Sequence, residues 1–367
     1  MPVSWACILT LLSTAHADEQ IVLRNELVQA SITADGGGII EFRFVDQQTN
    51  PLNWEIGDLE PQTEGQPFLR GHFLCLDRWG APSEAEGRNG VPFHGEAPRI
   101  VWQITKLPQK QAVGSVAQMG CTLPLAGMRV HRMITLTESA LLIATERVTN
   151  TNLRGRIYNM VQHPSIAPPF LDGSTLVDSN ARHGFSQEGT IPESQTEDAL
   201  WPHMTINQRR VDLRKFQNQA PGITQHDVSS FVFDDADAYG WVTACNPKKG
   251  LLLGYIWRTA EYPWLNIWRY LREGKVAARG LEFGTTGYHQ PFAQLVDTGR
   301  ILGSPLYDYL DAGQTVSRTY AVFLLKIPDD YRGVAGITYQ AERLTLTERG
   351  SQNPRTLTLE TGQLFAE

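Results

Sequence analysis

Three polar residues stand in sequence surroundings that suit chemistry better than packing. Glu282 lies in Gly280-Leu281-Glu282-Phe283-Gly284, where apolar and small residues alternate and a carboxyl is costly unless it faces a polar cavity. His163 closes the strand-like run Tyr158-Asn159-Met160-Val161-Gln162-His163, with Pro164 and Pro168-Pro169 expected to turn the chain after it. A histidine at a strand end can present one ring nitrogen to a ligand while the protein holds the other. His94 occupies the loop Phe93-His94-Gly95-Glu96-Ala97-Pro98-Arg99, which runs into a strand-like segment able to anchor it. A carboxyl and an imidazole brought together supply a general base and a general acid. Taken singly, each of the three also fits a structural contact. The aromatics Trp257, Trp264, Trp268, Tyr270 and Tyr288 crowd around Glu282 in sequence and could offer flat faces to a sugar ring. Packing in a sheet accounts for most of them equally well.

In their order along the chain these segments resemble those of aldose 1-epimerases, of the galactose mutarotase-like superfamily. His94-Gly95, followed by Arg99 and Trp102, is similar to the family segment whose histidine contacts sugar hydroxyls, although Pro98 stands before Arg99 where an Arg-Asn pair is common. Gln162-His163 is similar to the Asn-His segment whose histidine is the general acid; glutamine replaces asparagine here, and the aromatics that follow are changed. Leu281-Glu282, coming after an apolar strand, a Pro-containing turn and an aromatic strand, resembles the segment carrying the general base. The resemblance implies anomer exchange by ring opening, with Glu282 as base, His163 as acid and no cofactor. It further implies His94, Arg99, Arg70 and Arg78 as hydroxyl binders, with Trp257, Trp268 or Tyr288 against the ring. The partner would be a carbohydrate, either a monosaccharide or a glycan fragment.

Strand-like runs bounded by turn residues recur from Val22 to Leu325. The first two, Val22 to Thr33 and Ile39 to Val45, read as a hairpin joined through Asp35-Gly36-Gly37-Gly38. Helical periodicity is confined to Thr196–Trp201 and Asp329–Gln340, so the crossover helices of a parallel sheet are missing. This predicts an all-β protein, a large antiparallel β-sandwich with few short helices. Residues 52–98 and 171–221 are long and irregular, which suits the walls of a cleft. The expected division is a signal peptide over 1–17, a sandwich domain over 18–346, and a C-terminal tail or edge strand over 347–367.

Composition narrows the function classes. The 367 residues, 41% of them apolar, can bury a substantial core. A net charge of -7 and a pI near 5.8 leave no footprint for a nucleic-acid backbone. Trp5 to Ser13 is a short apolar run and Ala15-His16-Ala17 has a signal-peptidase form, so a secreted or periplasmic location with no mature membrane anchor is expected. Cys75, Cys121 and Cys245 are too scattered for a disulfide framework and read as buried small side chains. No phosphate-binding loop, zinc helix or serine nucleophile elbow occurs, and no metal is implied. His72, His131, His183, His203, His226 and His289 lack a matching context and read as surface or structural. Two other readings fit the same scaffold: a polysaccharide lyase or hydrolase, the latter requiring a second carboxylate, and a carbohydrate-binding protein without catalysis.

Overall fold

A computed structural model describes residues 19–57, 69–195, 197–350 and 352–365. The expected signal peptide, 1–17, lies outside the described residues. Two large antiparallel sheets face one another. One runs in the order Gln20–Arg24, Val28–Thr33, Ile39–Phe44, His72–Asp77, Arg156–Ile166, Lys275–Gly284, Trp264–Arg272, Gln225–Val232 and Gly184–Ser186, with Asp308–Leu310 also pairing to Arg156–Ile166. The other is eight-stranded: Leu176–Ser179, Tyr239–Asn246, Leu251–Arg258, Thr315–Lys326, Leu141–Asn150, Met128–Leu136, Gly114–Leu123 and Gln103–Gln111. The protein is thus an all-β sandwich with few short helices, as its alternating runs predict.

Successive side chains of a strand point to opposite faces, and this sorts the residues into layers. Leu74, Leu76, Leu281, Phe283 and Ile267 join Tyr255, Val322 and Leu324 in the main core between the sheets. Their neighbours Phe73, Cys75 and Trp268 fall on the outer face of the ten-stranded sheet, in a separate cluster with Trp54 and Trp79. The outer face of the eight-stranded sheet, with Leu252, Ile256 and Phe323, is covered by a small sheet made of Val334–Gln340, Arg343–Glu348 and Thr356–Glu360. All three described cysteines are buried and free.

Several expectations about elements are corrected. The first long run divides at Asn25, whose side-chain oxygen accepts from the backbone N–H groups of Leu27 and Val28 and turns the chain into two strands. Asp329–Gln340 is not helical: Val334–Gln340 is a strand, folded onto Arg343–Glu348 through Ala341 and Glu342, both with positive φ. The helix expected over Thr196–Trp201 reduces to the 3-10 turn Glu197–Ala199. The boundary drawn at 347 falls inside the strand Arg343–Glu348; the segment beyond it contains Thr356–Glu360, an edge strand of the small sheet and so one of the two forms expected there. The strand carrying His163 does not end there but continues through Pro164 to Ile166. Proline is tolerated because the ladder to Lys275–Gly284 is interrupted at that point. Pairs form at Gln162–Phe283 and Ser165–Gly280, while no pair is made between them.

Candidate active site

The register is the same on both sides of this gap, so His163 stands opposite Glu282, each on the outer face of the ten-stranded sheet. Their side chains meet: His163 Nε2 lies 3.2 Å from Glu282 Oε1. His163 is 4% exposed and Glu282 1%. The second carboxyl oxygen, Oε2, accepts from the indole N–H of Trp79 at 2.8 Å. The other imidazole nitrogen, Nδ1, is 2.9 Å from Ser165 Oγ. Phe73 stacks on the imidazole with ring centroids 4.3 Å apart and holds its plane. Gly280, the next outward position of the glutamate strand, leaves room for the carboxyl, since a Cβ there would fall 2.5 Å from Glu282 Oε1.

Burial governs the protonation of this pair. Removal from water pushes the Glu282 carboxyl up to about 8, against the lowering effect of the Trp79 hydrogen bond. The same effect pushes His163 down to about 3. Near neutral pH the pair therefore holds one transferable proton on Glu282, donated to Nε2, and the imidazole carries its own proton on Nδ1, donated to Ser165. A hop across 3.2 Å converts this neutral pair into carboxylate and imidazolium. One side then becomes a base and the other an acid, the combination that acid–base catalysis requires.

His94 is placed beside them with its ring 5.0 Å from that of His163. It has a positive φ of 64°, and its conformation is fixed by mutual bonds with Gly80: the Gly80 N–H donates to His94 Nδ1 at 3.2 Å, and the His94 N–H donates to the Gly80 carbonyl. That leaves Nε2 as the protonated ring nitrogen, since burial keeps the ring neutral. Gly80 also admits a fourth residue, because a Cβ there would collide with the imidazole of His289. His289 stands 4.6 Å from Trp79 and 6.2 Å from His94 between ring centroids. These groups line a cavity of about 430 Å³, walled also by Trp54, Ile56, Leu69, Phe93, Val228 and Trp268, with His226 among its lining residues.

Of the residues singled out in the sequence, Glu282, His163, His94 and Trp268 converge on this cavity. The rest do not line it. Trp257 belongs to the eight-stranded sheet and is sealed in the main core, stacked on Phe283 at 4.1 Å with its indole N–H donating to the Tyr262 carbonyl. Tyr288 packs beside Phe185 in another cluster. Arg70 donates to Thr33 Oγ1, and Arg78 donates to the Ala81 carbonyl and lies 3.9 Å from Glu86. Arg99 is buried in the 3-10 turn Ala97–Arg99, behind His94. The irregular segment 52–98 supplies Trp54, Ile56, Leu69, Trp79, Phe93 and His94 to the wall, whereas the described residues of 171–221 supply none. Trp54 and Trp79 are not among the residues singled out in the sequence, and His226 and His289, expected there as surface or structural residues, instead line the cavity. The irregularity of 52–98 was the signal for the two tryptophans, and nothing local marks the two histidines.

The chain matches no protein-family model and no curated protein. It is similar in structure to a galactose mutarotase related enzyme from Lactobacillus acidophilus, at 12% identity over 85% of this chain and 99% of the other, with a TM-score of 0.57. A galactose mutarotase-like protein from Clostridium acetobutylicum gives 12% identity, coverage of 84% and 96%, and a TM-score of 0.57. A candidate aldose 1-epimerase from Escherichia coli K12 gives 13% identity, coverage of 85% and 100%, and a TM-score of 0.57. At such identities the likeness is one of fold, and the fold of this chain is that of the galactose mutarotase-like proteins.

Proposed function

We propose that the protein binds a reducing sugar in this cavity and exchanges its anomers by acid–base ring opening. The observation that carries the proposal is the buried contact of Glu282 with His163, a carboxyl and an imidazole 3.2 Å apart at a cavity with aromatic walls. Anomer exchange needs the anomeric hydroxyl to lose a proton and the ring oxygen to gain one, and the reverse on closure. After the proton hop, Glu282 is the base and His163 the acid that protonates the ring oxygen. The C1–O5 bond breaks, the free aldehyde forms, and bond rotation presents its other face for reclosure. No net proton is consumed. His94 Nε2–H and the His289 imidazole are in reach of ring hydroxyls, and Trp268 and Trp54 offer faces to the C–H side of the ring. The fold likeness to mutarotase-related proteins supports the same reading.

Double-displacement or inverting hydrolysis uses two carboxyl groups. Among the described residues that line the cavity, Glu282 is the one carboxyl, so the geometry favours isomerisation over hydrolysis. The test is anomer exchange measured by polarimetry or NMR on a sugar panel, with wild type and Glu282→Gln compared. Acceleration proportional to wild-type protein and lost at least about 100-fold in the variant is the expected result. Equal rates for the two proteins would overturn the proposal.

A further inference from the structure

The wall of the cavity restricts what can fill it. Apart from indole N–H groups, the side chains of Trp54, Ile56, Leu69, Phe93, Val228 and Trp268 present no hydrogen-bonding atom. Much of the polar capacity that remains is already engaged within the protein. The Trp79 N–H is given to Glu282, His94 Nδ1 accepts from Gly80, and His163 Nδ1 meets Ser165. No arginine or lysine is among the described lining residues, and Arg78, the guanidinium behind the site, is turned to Ala81 and Glu86. The histidines bring no compensating charge, for burial holds His94, His163 and His289 below their ordinary range. A sugar carboxylate or phosphate would find no cationic side chain to contact among the described lining residues, and a fully hydroxylated ring would leave hydroxyls against these apolar side chains.

We infer that the site takes a neutral deoxy sugar, a reducing pyranose whose methyl or methylene edge lies against Val228, Ile56 and Leu69 while its anomeric centre faces Glu282 and His163. This rests on the anomer-exchange reading and adds a substrate class to it. The apolar edge replaces hydroxyls that would find no partner, and the hydroxyls that remain are served by His94, His226 and His289.

The experiment is NMR exchange between anomers with the intact protein. The panel comprises D-galactose and D-glucose, their 6-deoxy and 2-deoxy forms, and the matching hexuronates and hexose 6-phosphates. The expected result is a kcat/KM about 10- to 100-fold higher for at least one deoxy sugar than for its parent hexose, the range set by one hydroxyl in an apolar pocket. The acidic sugars should rank below both. Val228→Thr, which adds one hydroxyl to the wall with little change in volume, should narrow the deoxy-to-parent ratio severalfold. A parent hexose or an acidic sugar exchanged faster than every deoxy form overturns this inference and leaves the anomer-exchange reading intact. Exchange of no sugar beyond the rate with Glu282→Gln overturns that reading itself.

Discussion

At the scale of single residues, the site depends on one proton held by two buried groups, and its pH behaviour follows. Glu282, raised from the usual carboxyl range to about 8, loses that proton as pH climbs through 8, and the pair is left without an acid. His163, depressed to about 3, gains a second proton only below that value, and the pair is then left without a base. The profile of kcat/KM for the free protein should be a plateau falling away above about 8 and below about 3, a broad version of the bell that two catalytic groups produce. A falling limb near pH 4.5 to 5 instead would place the proton elsewhere. Stability gives an independent check. Because the folded carboxyl binds its proton more tightly than the unfolded one, its contribution is fully present below about 4.5 and is lost as pH rises to about 8. Glu282→Gln has no proton to lose, so its Tm should overtake that of wild type most clearly above pH 8, while exchange is abolished. A variant whose Tm tracks wild type across pH 5 to 9 would contradict the burial of a protonated Glu282.

At the scale of elements, how much was legible depends on where the signal is stored. Strands such as Leu251–Arg258 and Thr315–Lys326 carry their identity locally, the first in a continuous apolar run and the second in a run rich in β-branched and aromatic residues. The hairpin turn at Ala341 and Glu342 carries none of the Gly or Asn signals of a two-residue turn, so Val334–Gln340 resembles a helix until its partner strand is known. The site divides in the same way. Glu282 announces itself as a carboxyl in an apolar run, whereas His289 acquires its place only because Gly80, far away in sequence, leaves space for its ring. What the sequence alone cannot display is the polar network that backs the histidine strand. Gln162, adjacent to His163 but pointing between the sheets, donates to Glu146 Oε2 at 2.6 Å, and Glu146 Oε1 accepts from Arg132 Nε at 2.6 Å. His72 meets the Gln162 side-chain oxygen at 3.1 Å, and Arg132 lies over the Trp102 ring. Glu146 and Arg132 are almost wholly inaccessible, so Glu146→Ala would leave a guanidinium in the core without its counter-ion. The expected loss is about 3–5 kcal/mol. It would be read as a lower denaturant midpoint at unchanged slope. A loss under about 1 kcal/mol would mean that the two sheets do not depend on this pair.

At the scale of the whole molecule, three apolar layers are stacked through two sheets, and the site occupies one outer face while the C-terminal sheet covers the opposite one. That small sheet is tied to the sandwich chiefly by apolar burial: Val334, Leu344, Leu346, Leu359, Leu364 and Phe365 pack with Trp241, Leu252, Ile256 and Phe323. One polar latch adds direction. Asp178, buried on the edge strand Leu176–Ser179, accepts from Arg214 Nε at 2.6 Å and Arg349 Nε at 3.0 Å, and from the backbone N–H of Val334 at 2.9 Å. Arg349 and Val334 belong to the small sheet and its margin, so a single carboxylate fixes where that sheet begins and returns. Gly333 is required there, since a Cβ would fall 2.2 Å from Asp178 Oδ2. Removing the carboxylate in Asp178→Ala strands a buried backbone N–H and two guanidiniums that retain partial access to water, 16% and 37% exposed. That access softens the penalty below the value for a fully buried pair, and a destabilisation of about 2–3 kcal/mol is expected. Because the latch and the cavity lie on opposite faces, the fraction that remains folded should exchange sugar anomers at the wild-type rate. Loss of exchange in a fully folded Asp178→Ala protein would show instead that the C-terminal sheet is coupled through the sandwich to the site.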